Sequence, residues 1–333
     1  MTAAPDNYQA QFERRWGHLT RPHVRALAWL LDAPDLLDPH WPQWRGRIAT
    51  LGHVPAATAG WLLALERDPV ALDAALGARV QTRLGLYAEK LMAFYFAQHG
   101  TLVAHGLQVR ASRNDTVGEF DFLLRDHGLL LHWELATKFY LLDCGEHRVA
   151  DDGRFNCLIG PNLADTLGAK MRKILDKQLA LAGHPAAQPL LPQPVDRAQA
   201  LVKGWLFYPL DGGDGAATMP LSTPSIAGIS ALHCHGFWGA LAQLRERAGE
   251  RYIIMPRLHW LAPLKAPLDT PALTHSELLA LLRDQFGDAP APVMVAAVAE
   301  QGAWLVERRR GFIVPDDWRA QAATRRLSGQ LPS

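Results

Sequence analysis

The chain is poor in cysteine, with only Cys144, Cys157 and Cys234 among 333 residues. So small and odd a count excludes a disulfide framework and fits a reducing compartment. Charge of one sign is also missing: 34 basic against 33 acidic side chains leave a formal net +1. That excludes a protein that coats nucleic acid by bulk charge, so any phosphate-binding surface must be a local patch. No apolar run approaches the ~18 residues needed to span a bilayer. The opening stretch, MTAAPDNYQAQFERRWGHLT, has no signal-peptide core. The expectation is a cytoplasmic protein with no membrane partner. Paired Cys-x-x-Cys spacing is absent too, so Cys144, His147 and Cys157, like His233-Cys234-His235, read as loop thiols and core histidines rather than zinc ligands.

What is present is apolar material, 49% of the residues, enough for a sizeable core. Residues 7–66 carry helical periodicity, and the run from Trp61 to Gly100 predicts two or three further helices. Then the pattern shortens. TLVAHGLQVRA, EFDFLLRD and GLLLHWELATKFYLL read as three strands, with Asp-His-Gly as a tight turn between the last two. GPNLADTLGAKMRKILDKQLALAG predicts a helix capped by Asn162, with Asp165 three residues on. After a proline-rich loop, ALVKGWLFYPL predicts a fourth strand. DGGDGAATMPLSTPS predicts a flexible boundary loop. Beyond it, HGFWGALAQLRERAGE suggests a helix, RYIIMPRLHWLAPL a strand, HSELLALLRDQFG a helix and VMVAAVAEQGAWLVERRRGFIVPDDW a hairpin. The expected organisation is a helical region over 1–68, an α/β core over 69–215 and a mixed α/β region over 216–333. In the core, a mixed sheet is flanked by helices.

Strand alternation places the chemistry. Phe120, Phe122 and Leu124 point to one side, and Glu119, Asp121, Leu123 and Arg125 to the other. In the next strand His132, Glu134, Ala136, Lys138 and Tyr140 share a face. A hairpin joins the two charged faces, so Glu119, Asp121, Glu134 and Lys138 converge. Clustered carboxylates repel one another, and a hard cation such as Mg²⁺ or Mn²⁺ resolves that repulsion. Such an ion polarises a phosphoryl oxygen and acidifies a bound water, and a neighbouring lysine stabilises developing charge. Glu89 adds a carboxylate amid apolar helix residues, where burial is costly without a cation. On the later helix, Gln178 interrupts the apolar stripe of Leu167, Met171, Ile174 and Leu181. Lys170, Lys173 and Lys177 form a basic stripe, able to contact phosphates but read first as a solvated face.

The order of a helical Glu, then GEFD, then a strand with Glu and Lys, then a helix with Gln, resembles the PD-(D/E)XK nuclease superfamily. More narrowly, it is similar to a bacterial family known as domain of unknown function 1853. The resemblance implies a restriction-endonuclease-like αβββαβ core and a one- or two-metal site. Glu89 matches its helical acid, Asp121 and Glu134 its strand carboxylates, and Gln178 its helical polar residue. Glu89, Asp121 and Glu134 would hold the metal; Asp121, Glu134, Lys138 and Gln178 would serve catalysis. One departure stands out. The superfamily lysine falls two residues after the glutamate, which here is Ala136, and Lys138 lies about 7 Å further along a regular strand.

The reading is therefore a metal-dependent nuclease acting on DNA ahead of RNA. The alternative is a catalytically impaired relative that serves as a nucleic-acid- or protein-binding scaffold. Trp205, Trp238, Trp260 and Trp304 are read as core residues, and Arg308-Arg309-Arg310 as a solvated edge.

Overall fold

A computed structural model describes residues 7–78, 82–113, 115–144, 151–210 and 225–327. Helices form where the apolar periodicity predicts them: α1 (Tyr8–Trp16), α2 (Pro22–Asp32), α3 (Ala56–Arg67), α4 (Val70–Leu76) and α5 (Leu84–Gln98). Asn7 caps α1 by accepting the Ala10 N–H at 3.0 Å. Pro22 opens α2, where a missing N–H leaves no bond unmade.

Three antiparallel strands follow: β1 (Leu102–Ser112), β2 (Asp115–Asp126) and β3 (Leu129–Leu142). The β2–β3 turn falls at the expected Asp-His-Gly. His127 and Gly128 both take positive φ, +46° and +86°, as a two-residue hairpin loop with this twist requires. Next come β4 (Leu158–Ile159), which pairs with the end of β3, the crossover helix α6 (Leu167–Arg172), and β5 (Arg197–Pro209). β5 runs parallel to β3 from Leu131↔Arg197 to Leu141↔Phe207. Gly204 lies opposite Lys138 in that ladder. A Cβ there would sit 2.0 Å from the Lys138 carbonyl oxygen, so this close approach requires glycine.

The remaining elements are β6 (Cys234–Ala240), β7 (Arg251–Ile254), β8 (Lys265–Pro267), α7 (His275–Asp288), β9 (Val293–Gln301), β10 (Trp304–Val314) and α8 (Trp318–Leu327). All ten strands join one mixed sheet in the order β1-β2-β3-β5-β6-β10-β9-β7, with β4 beside β3 and β8 beside β10. The architecture is α/β, a large mixed sheet flanked by helices. The sheet is continuous through the segments 69–215 and 216–333, because β5 pairs directly with β6. Residues 211–224, most of the expected boundary loop, lie outside the described residues. On one sheet face Phe122, Leu135, Trp205 and Phe312 pack beneath α1, α2, α5 and α8. On the other, Ala136, Tyr140, Val202 and Leu206 pack against α6, and Phe237, Tyr252 and Ile313 against α7. No described helix is long and apolar enough to cross a membrane.

Four expectations fail for physical reasons. HGFWGALAQL is not a helix; its first half is β6, a central strand between β5 and β10, so both of its faces are buried. Apolar residues buried on both faces lose the period of two and mimic helical spacing. RYIIMPRLHWLAPL is strand only over β7 and then turns at Pro256 into a short 3-10 helix, Arg257–His259. Asn162 does not cap α6. Thr166 does, accepting the Ala169 N–H at 3.2 Å, while residues 160–163 form a turn closed by the Leu163 N–H on the Gly160 carbonyl. The arginine run is not a solvated edge either, because β10 is interior. Arg309 forks onto Glu250, and Arg310, 0% exposed, donates to both oxygens of Glu307 at 2.7 Å and lies 4.0 Å over the Trp205 ring.

Glu307 also accepts from Gln9 at 3.1 Å and from the Leu264 N–H at 2.8 Å, so the buried pair has its remaining acceptor sites filled. Glu307→Ala strands the Arg310 charge and is expected to cost about 3–5 kcal/mol in urea unfolding. Arg308→Ala, on the exposed member of the run, is expected to change stability by no more than about 0.5 kcal/mol.

Candidate active site

β2 and β3 pair from Asp126↔Leu129 to Phe122↔Trp133 and then part. At the fork, the Leu135 N–H donates to Asp121 Oδ2 at 2.9 Å. A side-chain carboxylate thus takes the place that a backbone carbonyl holds in an unbroken ladder. On β1, Gly106 lies between the pairs His105↔Phe122 and Leu107↔Phe120, opposite Asp121, and adopts φ +63°, a conformation open to glycine. The irregularity breaks the alternation expected for Phe120 and Phe122. Phe122 stays in the main core, whereas Phe120 packs with Leu123 and Leu130 on the other side and meets His132 edge-on at 4.7 Å.

Glu134 is 1% exposed and so needs partners for both oxygens. His132 Nε2 donates to Oε1 at 2.8 Å, and Gln178 Nε2 donates to Oε2. A carboxylate accepts, so His132 carries its proton on Nε2 and Gln178 turns its amide nitrogen inward. The Gln178 oxygen then accepts from Lys170 Nζ at 3.4 Å. Lys170 and Gln178 are eight residues apart, and a regular α-helix would set them about 80° out of line. Here α6 continues as a π-helical turn, Lys173–Gln178, closed by the Leu179 N–H on the Ile174 carbonyl at 2.9 Å. The wider turn brings both side chains to Glu134, and such turns favour functional positions.

Charge binds the cluster together. Burial, then the Glu134 and Glu89 carboxylates, push Asp121 up to about 8, against the Leu135 N–H and Lys170. Burial, then Glu119 and Glu134, push Glu89 up to about 7, against Lys170. Lys170 is lowered by its own burial, then by Lys138 and Lys173, while Asp121 and Glu134 oppose that shift. Glu134 from β3 therefore acts on both Asp121 from β2 and Glu89 from α5, and Glu89 acts on Asp121. Glu119 is exposed at the margin.

Lys138 shares their strand face but is engaged elsewhere. Its Nζ lies 3.2 Å from Asp165 Oδ2, which also accepts from the Tyr140 hydroxyl at 3.1 Å. The cation that faces the carboxylates is Lys170, assigned above to a solvated stripe. Among the described residues, no group of three or more His, Cys, Asp or Glu side chains is gathered tightly enough to cage an ion. The zinc candidates end differently. His147 lies outside the described residues, and His233 spends its ring nitrogens on the Tyr208 hydroxyl at 2.8 Å and the Ser230 carbonyl at 2.6 Å.

With this geometry in view, the family model described as domain of unknown function (DUF1853) matches residues 25–314. The chain belongs to the DUF1853 family. No curated protein and no solved structure matches it. For this DUF1853 chain, two residues of the site escape reasoning on strand faces alone. Lys170, on the regular turn of α6, meets Gln178 because the π turn between them shifts the phase of Gln178, and a π turn has no signature in apolar spacing. His132 was visible on the charged face, but only the burial of Glu134 shows that it holds that carboxylate.

Folding favours the protonated forms of Asp121 and Glu89, because both carboxyls are raised. Their stabilisation is complete below pH ~4 and is lost as pH rises through about 7 and about 8. In metal-free buffer Tm is expected to fall across that window. Asp121→Asn should flatten the upper part of the decline in differential scanning calorimetry.

Proposed function

We propose that this chain is a PD-(D/E)XK-type nuclease that hydrolyses phosphodiester bonds of nucleic acid, DNA ahead of RNA, with Mg²⁺ or Mn²⁺. The observation that carries this reading is that Glu134 and Glu89 both act on Asp121, and Glu134 also on Glu89, beside Lys170. A structural ion pair needs one carboxylate; two carboxyls held raised beside a third, Glu134, cost stability unless a ligand rewards them. Hard oxygen donors fit Mg²⁺. Mg²⁺ keeps several waters and uses one or two carboxylates with substrate phosphates. Asp121 and Glu89 would hold the ion, since both oxygens of Glu134 are taken by His132 and Gln178. Bound there, Mg²⁺ would polarise a phosphoryl oxygen and lower the pKa of a water.

The chain's own groups do the rest. Lys170, beside the carboxylates, would stabilise charge developing on the phosphate, a role the absent lysine at Ala136 leaves open. Gln178 and His132 hold Glu134 in one orientation. The second reading, a binding scaffold without catalysis, is favoured by one fact: Lys138 is paired with Asp165 rather than with the carboxylates.

Cleavage assays on DNA and RNA oligonucleotides with Mg²⁺ or Mn²⁺ decide between them. Asp121→Ala is expected to abolish cleavage, and Lys170→Ala to lower kcat roughly 100-fold, with a smaller loss in Lys138→Ala. Cleavage that is equal in wild type and Asp121→Ala would overturn the reading, and no cleavage by wild type would leave the scaffold.

A further inference from the structure

β5 borders β3 along most of its length, but the other side of β3 is interrupted. β2 stops pairing at Trp133, and β4 begins at Leu141. Beside that gap lies a cavity of about 250 Å³. That volume lies just below the usual range of small-ligand sites. Three cations line it, Arg83, Lys138 and Arg257, against one carboxylate, Asp165, which is already held by Lys138 and Tyr140. Arg83 and Arg257 are exposed, and no carboxylate pairs with either among the described residues. Arg83 and Leu84 also place the positive end of α5 at the cavity wall.

The rest of the wall includes the aromatic rings of Phe139, Tyr140 and Trp260. The Arg257 guanidinium lies 5.4 Å over the Trp260 ring, and Trp260 Nε1 donates to the Met255 carbonyl at 3.0 Å, which fixes the indole. Planar guanidinium and indole surfaces are platforms on which any base stacks. Lys138 stands on the face of Glu134, four residues or about 13 Å along the strand. That is the reach of a flanking nucleotide rather than the one at the carboxylates.

We infer that this cavity is a pocket for one unpaired nucleotide of a single-stranded nucleic acid, its phosphate held by Arg83 and Lys138 and its base laid against the Arg257–Trp260 pair. Its service as a flanking subsite for cleavage rests on the nuclease reading above; the binding itself does not.

The test is fluorescence anisotropy of the full chain with a labelled twelve-nucleotide oligothymidylate and with a blunt duplex of equal length, in EDTA. Tighter binding of the single strand is expected. Trp260→Ala should weaken it roughly ten-fold, and Trp260→Phe should restore most of that loss. Arg257→Ala, at an exposed side chain, should weaken binding and reduce the slope of log K against log salt by about 0.7. Equal affinity for the two probes, or single-strand binding unchanged in Arg257→Ala and Arg83→Ala, would overturn the pocket. No divalent ion is present, so the outcomes separate. Cavity-dependent binding without cleavage removes the nuclease reading and keeps the pocket, and cleavage with cavity-independent binding does the reverse.

Discussion

The site depends on one substitution of acceptors: a carboxylate, Asp121, takes the Leu135 N–H that a backbone carbonyl would otherwise accept. An unbroken β2–β3 ladder would carry the sheet straight across this point, with no room for a ligand. Because the acceptor is a side chain, β2 swings away, the edge of β3 opens, and a charged group stays at the fork. The same act that parts the strands puts a carboxyl close to Glu89 and Glu134, where burial and repulsion raise its pKa. Opening and charge therefore have a single cause.

The second face of the sheet answers that charge through the helix that follows β3. Lys170, Gln178 and Glu134 form a relay of donors and acceptors, and the relay closes only because α6 loosens into a π turn. His132 anchors the far oxygen of Glu134. Each polar atom on Glu134 is thus used, which is what a carboxylate that is 1% exposed demands.

How much of this was legible in the amino acids follows from which rule each residue obeys. Glu134 and Glu89 follow local periodicity, and the β2–β3 hairpin brings Asp121 toward them, although alternation fails beside it at Phe120. Gln178 was marked by being polar on an apolar stripe. Lys170 could not be separated from Lys173 and Lys177, because the register of a π turn is set by packing against Glu134 rather than by spacing. Lys138 looked like the site's cation because it shares the strand face. Its partner, Asp165, comes from a turn where Leu163 takes φ +56°, a geometry that apolar patterning does not encode. In the sheet, β6 and the arginines of β10 were misread for one shared reason. Central strands bury both faces, so alternation vanishes and even guanidinium groups sit inside when Glu307 or Glu250 meets them.

The contacts of α1 with β10 bear on how the chain is made. Gln9 bonds to Glu307 and Asn7 to the Arg308 carbonyl, separations of 298 and 301 residues. During synthesis at about 5–20 residues per second, the first helix leaves the ribosome on the order of 15–60 s before its partner strand exists. Phe12 and Trp16, each 1% exposed in the finished fold, share their core cluster with Leu305 and Phe312 of that strand. The sheet's central ladders are likewise parallel and long-range, a topology that folds slowly. Docking of α1 therefore waits until 298 further residues have been made, and the N-terminal helix cannot reach its final packing as it emerges.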